Sequence, residues 1–344
     1  MGARKWLALF GLGAMGLSVA CGTATPSSTS NGQLQNLTIA LSYQATPSAS
    51  DPWHHMATTW QSLLQKQSNG KIQIQLFPGG VLSGGNQTKE VELVQDGTIQ
   101  AAIEPTGTLA VVDPRFQVVE LPWIVPTQQV ADKIMDGPLG QETLGWVKAK
   151  GMEPIAIGSN GFRQLANRKH AVTTPQDLQG LKIRVPGTPS LVDTWTALGA
   201  EPTVVNFAEL YTALQQGTVD GEELPYNYKL STKFYEVEKF ATTINYSFDL
   251  IYIVFNQQFW NSIPSADQQL LRSTAQAAAK DERTFITDSQ QQTITQLQSD
   301  GMQVQTLTAQ QLKAFQDKMP PIYQKYGSII GQTVVSAFQK ASSQ

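Results

Sequence analysis

The stretch that decides the fold begins with Leu181-Lys182-Ile183-Arg184-Val185-Pro186. It continues through Gly199-Ala200-Glu201-Pro202 to Glu209-Leu210-Tyr211-Thr212-Ala213-Leu214-Gln215-Gln216-Gly217. The pattern predicts strands over 181–185 and 202–205, each followed by a helix, over 190–198 and 207–216. This alternation is typical of an α/β protein with mainly parallel strand pairing.

Arg184 is the unusual residue of the first strand, because aliphatic residues flank it on both sides. A guanidinium keeps its proton and is costly to bury unless an anion satisfies its planar set of donors. We expect that anion to be a ligand carboxylate, bound by two parallel hydrogen bonds. The alternative is an internal carboxylate, such as that of Glu209 or Glu223.

The same alternation extends in both directions along the chain. Strands are predicted at 37–41, 71–77, 99–103, 154–157 and 244–255, and helices at 52–68, 86–96, 127–150, 265–299 and 308–339. The glutamine-rich helix over 265–299 keeps an apolar stripe, so its glutamines mark a solvated face. Roughly 310 residues are more than one core usually supports, so two α/β domains are expected.

The N-terminus has the layout of a secretory signal over residues 1–21. Arg4 and Lys5 precede an apolar run that is too short for a comfortable membrane span. Cys21 follows Ser18-Val19-Ala20 and is the one cysteine of the 344 residues, which excludes an internal disulfide. We expect Cys21 to carry a lipid, with a plain cleaved signal as the alternative. Residues 22–36 are rich in Ser, Thr, Asn and Gly and predict a flexible tether.

Charge and motifs exclude several functions. Without Arg4 and Lys5, 22 basic residues stand against 27 acidic ones, which gives no basic footprint for nucleic acid. The Gly11-Leu12-Gly13-Ala14-Met15-Gly16 pattern has the letters of a dinucleotide fingerprint but lies inside the signal, with no strand before it. No nucleophile elbow, zinc-protease helix or cysteine pair occurs, so the sequence does not indicate an enzyme.

An ordered set of motifs spans nearly all of the chain after the tether. It consists of Lys71 to Pro78, Gly97-Thr98-Ile99, Leu121-Pro122-Trp123, Thr174 to Pro186, Gly199-Ala200, Phe207 to Gly217, Asp220-Gly221, Phe234-Tyr235-Glu236-Val237 and Trp260-Asn261-Ser262-Ile263-Pro264. In its order and spacing the set resembles a known family, the extracytoplasmic solute-binding receptors (DctP type) of tripartite ATP-independent periplasmic (TRAP) transporters.

The resemblance implies a two-lobed periplasmic binding protein-like fold, with two α/β domains joined by hinge strands and long C-terminal helices. Residues 37–157 and 252–344 would form lobe I, and residues 158–251 would form lobe II. Arg184 matches the family arginine that pairs with the ligand carboxylate. Arg163 matches a second family arginine that often reaches the ligand, with a surface or hinge salt bridge as the alternative. Phe207 matches an aromatic wall of the pocket.

Leu224 departs from the family pattern, which usually has asparagine at this position. The change removes an amide from the expected pocket and adds an apolar surface. We therefore expect a ligand with one carboxylate and a less polar body, rather than a sugar acid or a small dicarboxylate.

Five further residues are candidate ligand contacts, although each could instead be structural: Trp53, His54, Gln87, Trp123 and Asn245. No cofactor is expected. Glu222 and Glu223 are the weak candidates for a calcium site, because no further oxygen ligands are in view. A zinc site at His54-His55 is disfavoured, because adjacent helical histidines point in different directions.

The function expected from the resemblance is a monomeric receptor that captures a small organic anion and delivers it to the TRAP membrane permease. It would act in the periplasm or at the outer face of the cytoplasmic membrane, anchored there by lipid on Cys21. The alternatives are a receptor of another importer or of a sensor, and a secreted α/β hydrolase or lyase.

Overall fold

A computed structural model describes residues 34–342. The predicted signal, Cys21 and all but the last residues of the predicted tether lie outside this range. The strands of the described part are, in chain order, β1 (Leu37–Ser42), β2 (Ile72–Phe77), β3 (Ala101–Pro105), β4 (Met152–Phe162), β5 (Leu165–Asn167), β6 (Lys182–Val185), β7 (Glu201–Val204), β8 (Gly221–Glu222), β9 (Phe240–Thr243), β10 (Phe248–Asn256) and β11 (Gln303–Thr306).

The helices of the described part are α1 (Pro52–Gln67), α2 (Gln87–Gln95), α3 (Thr106–Leu109), α4 (Gln117–Glu120), α5 (Gln128–Asp136), α6 (Pro138–Lys148), α7 (Pro189–Leu198), α8 (Leu210–Gln216), α9 (Tyr226–Ser231), α10 (Gln257–Ser262), α11 (Ser265–Ser299), α12 (Ala309–Gln316), α13 (Pro320–Ile330) and α14 (Gln332–Ser342). Short 3₁₀ turns cover Pro114–Phe116, Pro175–Leu178, Phe207–Glu209 and Phe234–Glu236. Among the described helices, none combines the length and the apolar character needed to cross a bilayer.

The first sheet has the strand order β2-β1-β3-β10-β4. Strands β1, β2 and β3 pair in parallel, whereas β10 runs antiparallel between β3 and β4. All nine residues of β10 are buried, as a central strand covered on both faces requires. The strand predicted over 244–255 is observed from Phe248 onward, as β10, between β3 and β4.

The second sheet has the order β11-β9-β5-β8-β6-β7. Its β6–β7 and β6–β8 pairs are parallel, as expected for the alternation around Arg184. Strand β11 comes from the C-terminal segment that the sequence assigned to lobe I, yet it pairs with β9 in this second sheet. A strand joins the edge of a sheet through backbone hydrogen bonds, so a segment of four residues such as β11 is long enough to pair there.

Two short crossings between the sheets lie side by side, and α11 forms a third connection, from the first sheet to β11. One crossing leads from β4 to β5 through Arg163 and Gln164, and the other leads from β9 to β10 through Ile244 to Ser247. The two crossings are tied together, because the Arg163 amide donates to the Ser247 carbonyl at 2.9 Å. The predicted helix over 265–299 is confirmed as α11, which packs on α1 and β4 and ends beside β11.

Candidate functional site

A cavity of about 500 Å³, including its mouth, lies between the two sheets. It forms where strands β1, β3 and β6 end at their carboxyl termini, the usual place for ligands in α/β sheets. The elements of the first sheet contribute Gln44, Ala45, Trp53, Gln87, Pro105, Gly107, Thr108, Glu120, Asn160 and Asp249. The second sheet and the crossing contribute Arg163, Arg184, Pro186, Phe207, Leu224 and Tyr228.

Arg184 extends into this cavity from the middle of β6. Its neighbours Ile183 and Val185 lie in the hydrophobic core, and the period of two along a strand sends Arg184 to the opposite face. Only 2% of the Arg184 surface is exposed, and Nε donates to the Val205 carbonyl at 2.9 Å. Burial lowers the pKa of Arg184 to about 10.

No ion pair joins Arg184 to a carboxylate within residues 34–342. Of the two internal partners that the sequence offered, Glu209 is exposed at the surface. Glu223 is bound by Arg163 instead. The Arg184 guanidinium is therefore a buried cation whose charge the described residues do not pair.

Arg163 lies at the crossing between the sheets, and its charge is balanced internally. Its Nη2 donates to Glu223 Oε1 at 2.6 Å and its Nε donates to Glu223 Oε2, which is the bidentate geometry preferred by guanidinium and carboxylate. Nη1 donates to Asp249 Oδ2 at 3.2 Å. Arg163 borders the cavity, but Glu223 and Asp249 both belong to the protein, as a hinge salt bridge would require.

Asn160 connects three cavity residues. Its Oδ1 accepts hydrogen bonds from the Tyr228 hydroxyl at 2.6 Å and from Trp53 Nε1. Its Nδ2 donates to Asp249 Oδ2 at 2.6 Å. This network fixes the orientation of Trp53, whose ring forms part of the apolar lining.

Six of the nine predicted ligand contacts meet at this cavity: Arg184, Arg163, Phe207, Leu224, Trp53 and Gln87. Three do not line it. His54 Nδ1 lies 2.7 Å from the Tyr43 hydroxyl, Trp123 Nε1 donates to the Ile244 carbonyl at 3.3 Å, and Asn245 accepts from Gln164. Trp123 and Asn245 both have positive φ, 55° and 45°, which suits tight turns beside the crossing.

Several polar lining residues were not predicted from the sequence: Gln44, Glu120, Asn160, Tyr228 and Asp249. A usable signal existed for Asp249, which interrupts the apolar run Phe248-Asp249-Leu250-Ile251. A buried charge in such a strand requires a partner. Asn160, a polar residue near the end of β4, could have been recognised in the same way.

Glu222 and Glu223, the weak calcium candidates, have all four carboxylate oxygens engaged. Lys229 Nζ donates to Glu222 Oε1 at 2.5 Å, and the Leu224 amide donates to Glu222 Oε2. The two Glu223 oxygens accept from Arg163. Within residues 34–342, no group of three or more His, Cys, Asp or Glu side chains could hold a metal ion.

Residues 43–328 match the family described as bacterial extracellular solute-binding protein, family 7. The chain belongs to this family. The resemblance to the TRAP receptors is thereby confirmed, and the protein is a TRAP-type solute-binding receptor with a two-lobed α/β fold. The family consists of periplasmic binding proteins that work with TRAP permeases.

Individual relatives agree with this assignment. The receptor is 31% identical over 272 residues to the 2,3-diketo-L-gulonate-binding periplasmic protein of Escherichia coli K12, with 79% of this chain and 82% of the relative covered. It is 30% identical over 293 residues to the C4-dicarboxylate-binding periplasmic protein of Rhodobacter capsulatus, with 84% and 86% covered.

A solved structure extends the comparison to three dimensions. A TRAP periplasmic solute-binding protein from Ralstonia eutropha H16, with bound (S)-2-acetolactate, superimposes with a TM-score of 0.85 at 30% identity. The match covers 89% of this receptor and 98% of that chain.

Proposed function

We propose that the receptor binds an organic monocarboxylate through Arg184. The buried and unpaired guanidinium in the cavity carries this proposal, because a carboxylate would supply the two acceptors that the guanidinium lacks. The relatives support the carboxylate part of the proposal, because 2,3-diketo-L-gulonate, a C4-dicarboxylate and 2-acetolactate are all organic acids.

The rest of the ligand would be less polar than a sugar acid. Around Arg184 the cavity presents the apolar surfaces of Ala45, Trp53, Pro186, Phe207 and Leu224. A polyhydroxylated chain would leave hydroxyl groups against these surfaces without partners, and each would cost about 1–3 kcal/mol. A branched or short aliphatic body avoids that cost.

Binding would be coupled to closure of two lobes. We assign residues 37–157 and 252–344 to lobe I and residues 158–251 to lobe II. The exceptions are β11, which pairs in the second sheet, and the ends of β4 and β10 over 158–162 and 248–251, which pair in the first. The two neighbouring crossings would act as the hinge. The burial of Arg184 and the lining of the cavity by elements from both sheets support a closed arrangement in this structure.

The loaded receptor would act as a monomer and dock on its membrane permease. We further propose that it is held at the outer face of the cytoplasmic membrane by lipid on Cys21. Growth with labelled palmitate tests the anchor: label should enter the wild-type protein and not a Cys21→Ala variant, and equal labelling of the two would contradict it.

The receptor would hold its ligand without converting it. A thermal-shift screen of monocarboxylates, keto acids, aromatic acids and dicarboxylates, each with and without calcium, tests the ligand class. Monocarboxylates with apolar bodies should raise the melting temperature most, with no change on adding calcium, and should be recovered intact. Turnover of any acid would favour the hydrolase or lyase alternative, and a shift by dicarboxylates alone would contradict the proposed class.

A further inference from the structure

Three carboxyl groups surround the Arg163 side of the cavity, and their hydrogen bonds are very unequal. Glu223 accepts the fork of Arg163 together with the Tyr246 hydroxyl. Asp249 accepts from Arg163, Asn160 and Thr106. These two groups have the donors that an ionised carboxylate needs, as charge-assisted hydrogen bonds require.

Glu120 has no such donors. It lies at the end of α4 with 1% of its surface exposed, and its Oε2 has no hydrogen-bond partner. Its Oε1 is 3.4 Å from the Thr106 hydroxyl, which also donates to Asp249 and has only one proton to give. A carboxylate in these surroundings would be buried without compensation.

The charges around the site also indicate that Glu120 is not ionised. Arg163 is already shared between Glu223 and Asp249, and the proposed ligand carboxylate would take the charge of Arg184. No cation remains for Glu120 in the cavity. A buried carboxyl group without a cation keeps its proton, and it then becomes a hydrogen-bond donor. Burial, together with the negative charge of Asp249, correspondingly raises the pKa of Glu120 well above its usual range.

The absence of a side chain at Gly107 leaves space for the carboxyl group of Glu120. A Cβ at position 107 would lie 2.9 Å from Glu120 Oε1 and 2.8 Å from the Thr188 hydroxyl, so a larger residue there would displace one of these side chains. Glu120 and Gly107 both line the cavity. The unpartnered Oε2 is buried behind this lining, and a turn of the carboxyl group would bring it to the space that the body of the ligand would fill.

We propose that Glu120 is a neutral carboxylic acid that donates a hydrogen bond to a keto or hydroxyl oxygen on the body of the bound acid. The ligand class is thereby narrowed to monocarboxylates that carry one such oxygen and are otherwise apolar. The inference rests on the proposed function, because it needs a carboxylate held at Arg184.

Keto acids provide the sharpest test, since a ketone oxygen accepts hydrogen bonds but cannot donate one. Isothermal titration would compare keto acids, with the carbonyl at carbon 2, 3 or 4, against the same acids with a methylene in its place. For at least one pair, the wild-type receptor should bind the keto acid about 10- to 100-fold more tightly, the effect of one buried hydrogen bond.

Variants of Glu120 assign that preference to one residue. Glu120→Gln keeps the shape and an N–H donor, so most of the preference should remain. Glu120→Met keeps the length and removes the donor, so keto and methylene acids should bind alike. Glu104→Met is the matched control, because Glu104 is also fully buried with two unpartnered oxygens but does not line the cavity.

The outcomes separate the inference from the proposed function. A wild-type receptor that binds carboxylates through Arg184 but never prefers the keto member, or a Glu120→Met variant that retains the preference, would overturn the role of Glu120 alone. An equal loss of preference in Glu104→Met would also overturn it. Unchanged affinity in Arg184→Ala would overturn the proposed function and this inference with it.

If Glu120→Met fails to fold, as judged by circular dichroism, Glu120→Gln still tests the inference. Loss of the keto preference in Glu120→Gln would contradict hydrogen-bond donation from residue 120 to the ligand.

Discussion

At the residue scale, the two arginines of the cavity show how neighbouring side chains of one type acquire different roles. Arg163 is bound on three of its nitrogens by Glu223 and Asp249. Arg184 is equally buried and has one hydrogen bond, to a backbone carbonyl. The first guanidinium therefore ties together the crossing of the chain, and the second has no carboxylate partner among residues 34–342.

Leu224 gives a prediction about selectivity. Leu224→Asn should move the preference of the receptor towards acids with several hydroxyl groups, because the amide offers a donor and an acceptor to them. We expect the affinity ratio of a polyhydroxy acid to its deoxygenated counterpart to rise about 10-fold. Competition titrations measure this ratio.

Leu224→Met is the control for that experiment, since it conserves volume and polarity and should leave the ratio unchanged. The backbone of Leu224 keeps its bonds to Glu222 and Lys229 in both variants. An asparagine variant with the wild-type ranking of acids would mean that the side chain at position 224 does not contact the ligand.

Sequence reasoning located those lining residues whose chemistry is unusual for their element. Arg184 is a charge in an aliphatic strand, and Phe207 and Leu224 followed from the family motifs. Trp53 followed from its place after the first strand, and Gln87 from its place at a helix start. Glu120, Asn160 and Asp249 were missed, because their place at the cavity depends on how distant strands and loops pair in three dimensions. His54, Trp123 and Asn245 lie close to the cavity-forming segments in the chain but are turned to other partners.

At the scale of elements, helix α1 begins with an unusual cap. Asp51 is fully buried and accepts hydrogen bonds from the amides of Trp53 and His54, at 2.9 and 3.2 Å. Burial outweighs these bonds and raises the pKa of Asp51 to about 7. The cap therefore changes its charge near neutral pH, at the end of the helix that carries Trp53.

This cap predicts a pH dependence of stability. A carboxyl group whose pKa is higher in the folded chain than in the unfolded chain binds its proton more tightly when folded. Its contribution to stability is full below the unfolded pKa of about 3.9 and is lost as pH rises through about 7. The free energy of unfolding should thus fall with rising pH between these limits.

Asp51→Asn isolates that contribution, because asparagine also caps helices well and does not titrate. Denaturant unfolding at several pH values between 5 and 8 should give a slope that is flatter in the variant by up to roughly 1 kcal/mol per pH unit. Parallel curves for the two proteins would show that Asp51 is not the titrating group. Buried carboxyls that Asp51 does not influence, such as Glu104, contribute equally to both curves and cancel in the comparison.

The predictability of elements follows from their length. The 35-residue helix α11 has enough turns to display its apolar stripe, and its predicted bounds are confirmed. The four-residue strands β9 and β11 have no periodicity that distinguishes them from loops, and they become strands by pairing with each other and with β5. Short strands of this kind are decided by tertiary contacts rather than by local sequence.

At the scale of the whole molecule, the unpaired guanidinium would control opening and closing. Closure without a ligand buries the Arg184 charge with no carboxylate to compensate it, which costs several kcal/mol. In the open arrangement, water can hydrate the same group. The ligand would therefore shift the population towards closure by supplying the missing anion.

This mechanism predicts the behaviour of Arg184→Met in the absence of ligand. Methionine removes the charge and keeps an unbranched side chain, so closure no longer carries the desolvation cost. Small-angle scattering should give a smaller radius of gyration for the ligand-free variant than for the ligand-free wild-type receptor. Equal radii for these two proteins, together with contraction of the wild type on binding, would show that Arg184 does not set the resting arrangement.

The central claim is that Arg184 anchors the carboxylate of the ligand, and isothermal titration of the best acid tests it most directly. Arg184→Ala should weaken binding by about 30-fold or more, the effect of deleting one member of a buried charge pair. Arg184→Lys should recover only part of this loss, because an ammonium lacks the planar fork. Arg168→Ala, at an exposed arginine of the same sheet, should bind like the wild type. An Arg184→Ala receptor with wild-type affinity would contradict the account.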